Sequence, residues 1–108
     1  MAYHRVTAIL RNEVLEKVEK RLEAMGVGGV SVTRVKGFGE YANFFSRECL
    51  VSHVQLDVFT EGDRSEAIVQ AILEAVHTGL PGDGLVAVQP VETLLRIRTQ
   101  APPEPGEL

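Results

Sequence analysis

The alternation of helical and extended periodicity narrows the choice of folds for this chain more than any other property. Apolar residues recur every three or four positions in residues 14–25 and again in residues 67–76, which predicts two amphipathic helices. Short segments rich in β-branched residues lie before, between and after these helices and predict strands. The predicted strands are residues 3–10, 30–35, 53–58 and 85–88.

The resulting order, β-α-β-β-α-β, is typical of a ferredoxin-like α+β sandwich, an antiparallel sheet with two helices on one face. We expect this domain to span residues 1–100 and to be followed by a flexible, proline-rich tail at 101–108. The other face of the sheet would have no cover. Because the strands at 30–35 and 85–88 are apolar, we expect a partner to bury that face.

Glycine, proline and polar residues mark the ends of the predicted elements. Gly26 and Gly79 should end the first and second helices, and Asp63 or a neighbour should cap the second. Pro90 should interrupt the fourth strand. Residues 93–98 then form another extended piece.

Composition excludes several classes of function. The 108 residues include 11 basic and 15 acidic side chains, a net charge of −4, which argues against a general nucleic-acid-binding surface. The beginning of the chain does not resemble a secretory signal, so we expect a cytoplasmic protein. With the single Cys49 there is no basis for an intrachain disulfide or a CxxC centre, and the three scattered histidines predict no metal site.

Two glycine-rich segments and an arginine pair are the candidate anion-binding features. The sequences KGFG at 36–39 and TGLPGDG at 78–84 could each form a concave nest of backbone N–H groups. Each could equally be only a strand end or a helix C-cap. Arg96 and Arg98, two residues apart on a predicted strand, would project from one face and could hold phosphate oxygens. Together these features favour a nucleotide phosphate site.

These motifs resemble the PII signal-transduction proteins. KGFG, TGxxGDG and RIRT occur in the same order and with similar spacing, and the resemblance covers about residues 3–99. It implies a homotrimer that binds adenine nucleotides in clefts between subunits, with no enzymatic activity. The residues that the resemblance implies for nucleotide binding are Ser31, Thr33, Lys36, Gly37, Phe38, Gly39, Gly82, Asp83, Gly84, Arg96 and Arg98.

Departures from the PII pattern alter the expected ligands. Glu40-Tyr41 stands where Arg-Gln is expected and the following loop is shorter, which argues against 2-oxoglutarate sensing and uridylylation of this loop. Leu85 stands where a lysine is expected after GDG. With one cation fewer near the third phosphate, we expect ADP or AMP to be preferred over ATP.

The segment GFGEYANFFSR resembles the short-loop PII-like proteins associated with carboxysomes and inorganic-carbon transport. This resemblance implies that bicarbonate binds at Gly39, Glu40 and Tyr41, beside a cation for which Lys36 and Arg47 are the candidates. A bicarbonate transporter or a carboxysome-related protein would then be the regulated partner.

Other interpretations remain open at this stage. The protein could be a general nitrogen-regulatory PII relative without bicarbonate sensing. KGFG also opens like the RNP1 motif of RNA-recognition domains, although Glu40 stands where an aromatic residue belongs and the motif follows the wrong strand. A Cys49–His53 catalytic pair lacks an orienting third group.

Overall fold

Four strands and two helices follow one another in the order β-α-β-β-α-β. The structure is a computed structural model, and it describes residues 2–35 and 53–108. Its strands and helices are β1 Tyr3–Arg11, α1 Leu15–Ala24, β2 Ser31–Val35, β3 His53–Glu61, α2 Ser65–Val76 and β4 Leu85–Val91. The strands form one antiparallel sheet in the order β2-β3-β1-β4. The predicted ferredoxin-like fold is therefore confirmed.

The core lies between the sheet and the two helices. Alternate residues of β1 and β3 face the helices because strand side chains point to opposite sides of a sheet. Each helix contributes one apolar stripe, as the sequence spacing predicts. Burial of one large apolar side chain stabilises a fold by about 2 kcal/mol. The innermost residues are Val6, Ala8, Leu10, Val18, Leu22, Val54, Leu56, Val58, Ile68 and Ile72.

The helix ends differ in part from the prediction. α1 ends beside Gly26, whose φ of +86° suits the predicted helix stop. α2 ends at Val76 rather than at Gly79, because His77 has an extended backbone. The predicted side-chain cap at Asp63 does not form. The chain instead enters α2 through a single 3-10 turn, Gly62–Arg64, and Ser65 Oγ donates a hydrogen bond of 3.0 Å to the carbonyl oxygen of Gly62.

The prediction that Pro90 interrupts the fourth strand is wrong. β4 continues through Pro90, which pairs with His4, and ends at Val91. β4 lies at the edge of the sheet, where the missing N–H of a proline need not break a ladder hydrogen bond.

The predicted extended piece at 93–98 is also wrong. The amide of Arg96 donates to the carbonyl oxygen of Ala101 at 2.8 Å, and the amide of Gln100 donates to the carbonyl oxygen of Arg96 at 2.8 Å. These two bonds close a tight turn. Residues 97–100 form that turn, so the alternation of side chains along a strand does not apply there.

The sequence predicts an apolar sheet face opposite the helices, but the centre of that face is polar. The Asp57 carboxylate accepts hydrogen bonds from Thr7 Oγ1 at 2.6 Å, Arg5 Nε at 3.0 Å and Gln55 Nε2 at 3.1 Å. Burial alone would raise the pKa of Asp57, but the hydrogen bonds from Thr7 and Gln55 and the charge of Arg5 hold it below its usual value. Val88 pairs with Val6, so it belongs to the helix-facing side of the sheet.

None of the helices among the described residues is long and apolar enough to span a bilayer.

Candidate functional site

The loop between α2 and β4, residues 78–84, is organised around the Asp83 carboxylate. Asp83 Oδ2 accepts hydrogen bonds from the backbone amides of Thr78 and Gly79, each at 2.9 Å, and Oδ1 accepts one from the Thr78 hydroxyl. An Arg11 guanidinium nitrogen lies 3.7 Å from Oδ1. Asp83 therefore shapes the loop from within, because its carboxylate already accepts from the amides of Thr78 and Gly79.

These contacts change the acidity of Asp83. The hydrogen bond from the Thr78 hydroxyl, the two backbone amides and the nearby Arg11 charge lower the pKa of Asp83 from 3.8 to about 2. A carboxyl whose pKa is lower in the folded state stabilises the fold above its unfolded-state pKa. This contribution is lost as the pH falls from about 4 towards 2.

The Asp83→Asn variant should therefore lose about 1 kcal/mol of unfolding free energy at pH 6. The difference between wild type and variant should shrink as the pH falls from 5 towards 2.5, measured by urea unfolding. Other carboxyl groups titrate in both proteins and cancel in the difference. A difference that stays constant across this pH range would contradict the assignment.

The same loop is attached to the sheet through His53 and Gly82. His53 is 2% exposed and its Nε2 lies 3.1 Å from the carbonyl oxygen of Gly82. Since a carbonyl oxygen only accepts, Nε2 donates this hydrogen bond. His53 begins the strand predicted at residues 53–58. No local signal in the sequence indicates its contact with Gly82, because the two residues are 29 positions apart.

The two arginines of the RIRT motif do not form the predicted pair. Arg96 lies at the start of the turn that Ala101 closes, and its guanidinium forms an ion pair with the Glu107 carboxylate. Arg98 lies within the turn and is exposed. The prediction that both project from one strand face is corrected, because residues 97–100 turn instead of extending.

Arg96 and Ser31 line the same cleft, which has a volume of about 240 Å³. Its other lining residues are Gly28, Gly29, Val30, Asp57, Phe59, Glu107 and Leu108. Thr33 lies two residues further along β2, exposed and paired with Gln55. The cleft combines one cation, a hydroxyl and two glycines with the carboxylates of Asp57 and Glu107, so the charge that Arg96 offers an anion is offset within this chain.

The GDG loop lies in a different part of the folded molecule from the cleft that contains Arg96. Asp83 and Gly84 line a separate, mostly apolar cleft of about 220 Å³ next to β1, α2 and the start of β4. No residue of the GDG loop lines the cleft that contains Arg96. The described part of the chain therefore divides the candidate phosphate-binding residues into two groups.

Several candidate residues fall outside the described ranges. They are Lys36, Gly37, Phe38, Gly39, Glu40, Tyr41 and Arg47, with Cys49. Their assignments stay predictions. Within residues 2–35 and 53–108, no group of three or more His, Cys, Asp or Glu side chains is placed to hold a metal ion.

The segment at 101–108 contacts the domain in this structure. Pro103 is buried, the amide of Gly106 donates to Glu61 Oε1 at 2.7 Å, and Arg64 donates to the carbonyl oxygen of Leu108 at 3.3 Å. The predicted flexibility of this segment stays a prediction, but its placement beside Arg96 was not foreseen.

Comparison with known proteins gives one consistent family. Residues 3–101 match the family described as nitrogen regulatory protein P-II. The nitrogen regulatory protein P-II of Cyanidium caldarium is 33% identical over 105 residues, covering 91% of this chain and 93% of that protein. The Arabidopsis thaliana P-II homolog is 31% identical over 105 residues, which are 90% of this chain. The chain spans about half, 54%, of that plant protein.

A solved structure shows the same architecture. The crystal structure of Arabidopsis thaliana PII bound to citrate matches with a TM-score of 0.78 and 32% sequence identity. The match covers 92% of this chain and 86% of that chain.

Proposed function

Since the chain belongs to the P-II family of nitrogen regulatory proteins, we propose that it is a homotrimer that binds adenine nucleotides between its subunits. Nucleotide binding then controls contact with a partner protein in the cytoplasm. No catalytic step is part of this proposal.

The division of the candidate phosphate-binding residues supports a site made by two subunits. Asp83 and Gly84 line one cleft of the chain, and Arg96 lines another. A second copy of the chain could bring its Arg96 and Arg98 to the GDG loop of the first. Ile97, between the two arginines, is 94% exposed, which fits a turn that reaches a neighbouring subunit.

Charge near the GDG loop favours ADP or AMP over ATP. Leu85, which follows the loop directly, begins β4 and provides no cation for a third phosphate. Asp83 contributes a negative charge inside the loop, although its oxygens are hydrogen-bonded to Thr78 and Gly79. In such a site the negative charge of a third phosphate is offset by fewer positive charges than in a site with a lysine after GDG.

The segment GFGEYANFFSR supports a second ligand, bicarbonate, bound by Gly39, Glu40 and Tyr41 with a cation from Lys36 or Arg47. The regulated partner would then be a bicarbonate transporter or a carboxysome-related protein. The Arabidopsis thaliana PII structure is bound to citrate, a larger anion that shares with bicarbonate a planar group with two negatively charged oxygens in resonance.

Isothermal titration calorimetry with ADP, AMP and ATP tests the nucleotide proposal. ADP and AMP should bind, and ATP should bind more weakly. Repeating the ADP titration with bicarbonate should shift the ADP affinity, because coupling between two ligands is reciprocal. A protein that binds none of the three nucleotides would overturn the proposal. ADP binding that bicarbonate leaves unchanged would instead indicate a general nitrogen-regulatory relative.

A further inference from the structure

The segment at 101–108 lies across the cleft that contains Arg96. Glu107 and Leu108 are among the residues that line this cleft. A side-chain carbon placed on Gly28 would lie 3.1 Å from the carbonyl oxygen of Glu107, so the two backbones are in close approach. The segment therefore fills part of the cleft with its own main chain.

The Glu107 carboxylate is oriented towards Arg96 by its own surroundings. Oε2 accepts a hydrogen bond of 2.6 Å from the amide of Glu104, and Oε1 forms the ion pair with Arg96. The Gly106 amide is bound to Glu61, which fixes the neighbouring main chain. The carboxylate is thus held at the guanidinium by contacts that do not involve any ligand.

We propose that Glu107 is an internal competitor for the anion that Arg96 binds, so that segment 101–108 is an autoinhibitory arm. This inference rests on the proposed function, which assigns Arg96 to a nucleotide phosphate. A carboxylate and a phosphate present similar pairs of oxygens to a guanidinium. Glu107 contacts the guanidinium at Nε, so a phosphate that binds this edge of the group must displace Glu107.

The contact between Arg96 and Glu107 is suited to displacement. The side chains of Arg96 and Glu107 are 39% and 28% exposed, and pairs that retain access to water are weak. The contact joins Arg96 Nε to Glu107 Oε1, but it does not have the alignment of a hydrogen bond. A ligand oxygen that lies along this N–H would therefore satisfy it better than Glu107 does.

The physical consequence is a lowered apparent affinity for nucleotide. When only part of the population has Arg96 released, the apparent dissociation constant rises in inverse proportion to that fraction. An ion pair with partial exposure corresponds to at most about a fivefold change in an equilibrium constant. We therefore expect Glu107 to weaken nucleotide binding by a modest, measurable factor and not to prevent it.

The test is an ADP titration of the full chain in wild type, Glu107→Gln and Glu74→Gln. Glu107→Gln should bind ADP about three- to fivefold more tightly. Glu74 of α2 forms an ion pair with Arg21 of α1 at 2.7 Å, so Glu74→Gln removes the same charge from an Arg–Glu pair away from the cleft. Its ADP affinity should stay within about twofold of wild type.

A double-mutant cycle and hydrogen exchange separate competition from a general loosening of the arm. In an Arg96→Ala background, Glu107→Gln should no longer change ADP affinity. Saturating ADP should increase amide hydrogen exchange in residues 101–108 of the wild-type protein.

The outcomes distinguish this inference from the proposed function. If wild type and Glu107→Gln bind ADP equally well, the autoinhibitory role is wrong and the nucleotide function stands. If Glu107→Gln is tighter in the Arg96→Ala background as well, competition at Arg96 is wrong. If neither wild type nor Glu107→Gln binds ADP, the proposed function fails and this inference fails with it.

Discussion

Replacing Gly84 with alanine is expected to destabilise the fold by about 3 kcal/mol or more. Gly84 has a φ of +97°, and a side-chain carbon placed there would overlap the backbone carbonyl of Ile9. Ile9 belongs to β1 and pairs with Leu85, the residue after Gly84. The β1–β4 ladder would have to shift to remove this overlap. Urea unfolding of the purified variant measures the loss.

Gly26→Ala is the matched control for this prediction. Gly26 also has a positive φ, +86°, but no heavy atom lies within 4 Å of a side-chain carbon placed there. It should cost only about 1 kcal/mol, the typical penalty for a left-handed backbone conformation. Equal losses in the two variants would show that backbone conformation alone, and not contact with Ile9, requires glycine at position 84.

Arg96→Ala is expected to weaken ADP binding by about ten- to a hundredfold. A hydrogen bond to a charged group contributes about 1.5–3 kcal/mol, and each 1.4 kcal/mol corresponds to a factor of ten in affinity. The loss of competition from Glu107 does not offset this effect, because the variant lacks the guanidinium that both Glu107 and the phosphate would bind. Calorimetry with ADP measures the change.

Arg21→Ala is the control for the loss of charge. Arg21 is half exposed and pairs with Glu74 of α2, so its replacement also leaves one glutamate without its arginine. Its ADP affinity should match wild type, and thermal unfolding should show that both variants remain folded. If Arg96→Ala binds ADP as tightly as wild type, the assignment of Arg96 to the nucleotide site is wrong, although the proposal that the protein binds nucleotide stands.

The periodicity of apolar residues was sufficient to predict the order of the helices and strands and the residues of the hydrophobic core. Residues 14–25 and 67–76 show helical spacing, and Val54, Leu56 and Val58 alternate as a strand with one buried face should. These patterns are local, since each residue's environment repeats every 3.6 or 2 positions along its own element. The ferredoxin-like arrangement followed from the order of the elements.

Predictions that depended on partners far along the chain were less successful. Pro90 is tolerated because β4 lies at the sheet edge, a position that its own sequence does not reveal. The polar centre of the open sheet face required the pairing of Thr7 with Asp57, 50 residues apart. The amino-acid pattern of either strand alone indicates no such network.

The candidate site shows the same division between local and long-range information. The glycines, Asp83 and the two arginines can be identified by type and spacing as groups suited to an anion. Only the folded chain turns residues 97–100 back on themselves, separates Arg96 from the GDG loop and places Glu107 on the guanidinium. The physical reason is that the charge and hydrogen-bonding groups of a residue depend only on its type. Its neighbours in space depend on packing and hydrogen bonds between segments that are distant in sequence.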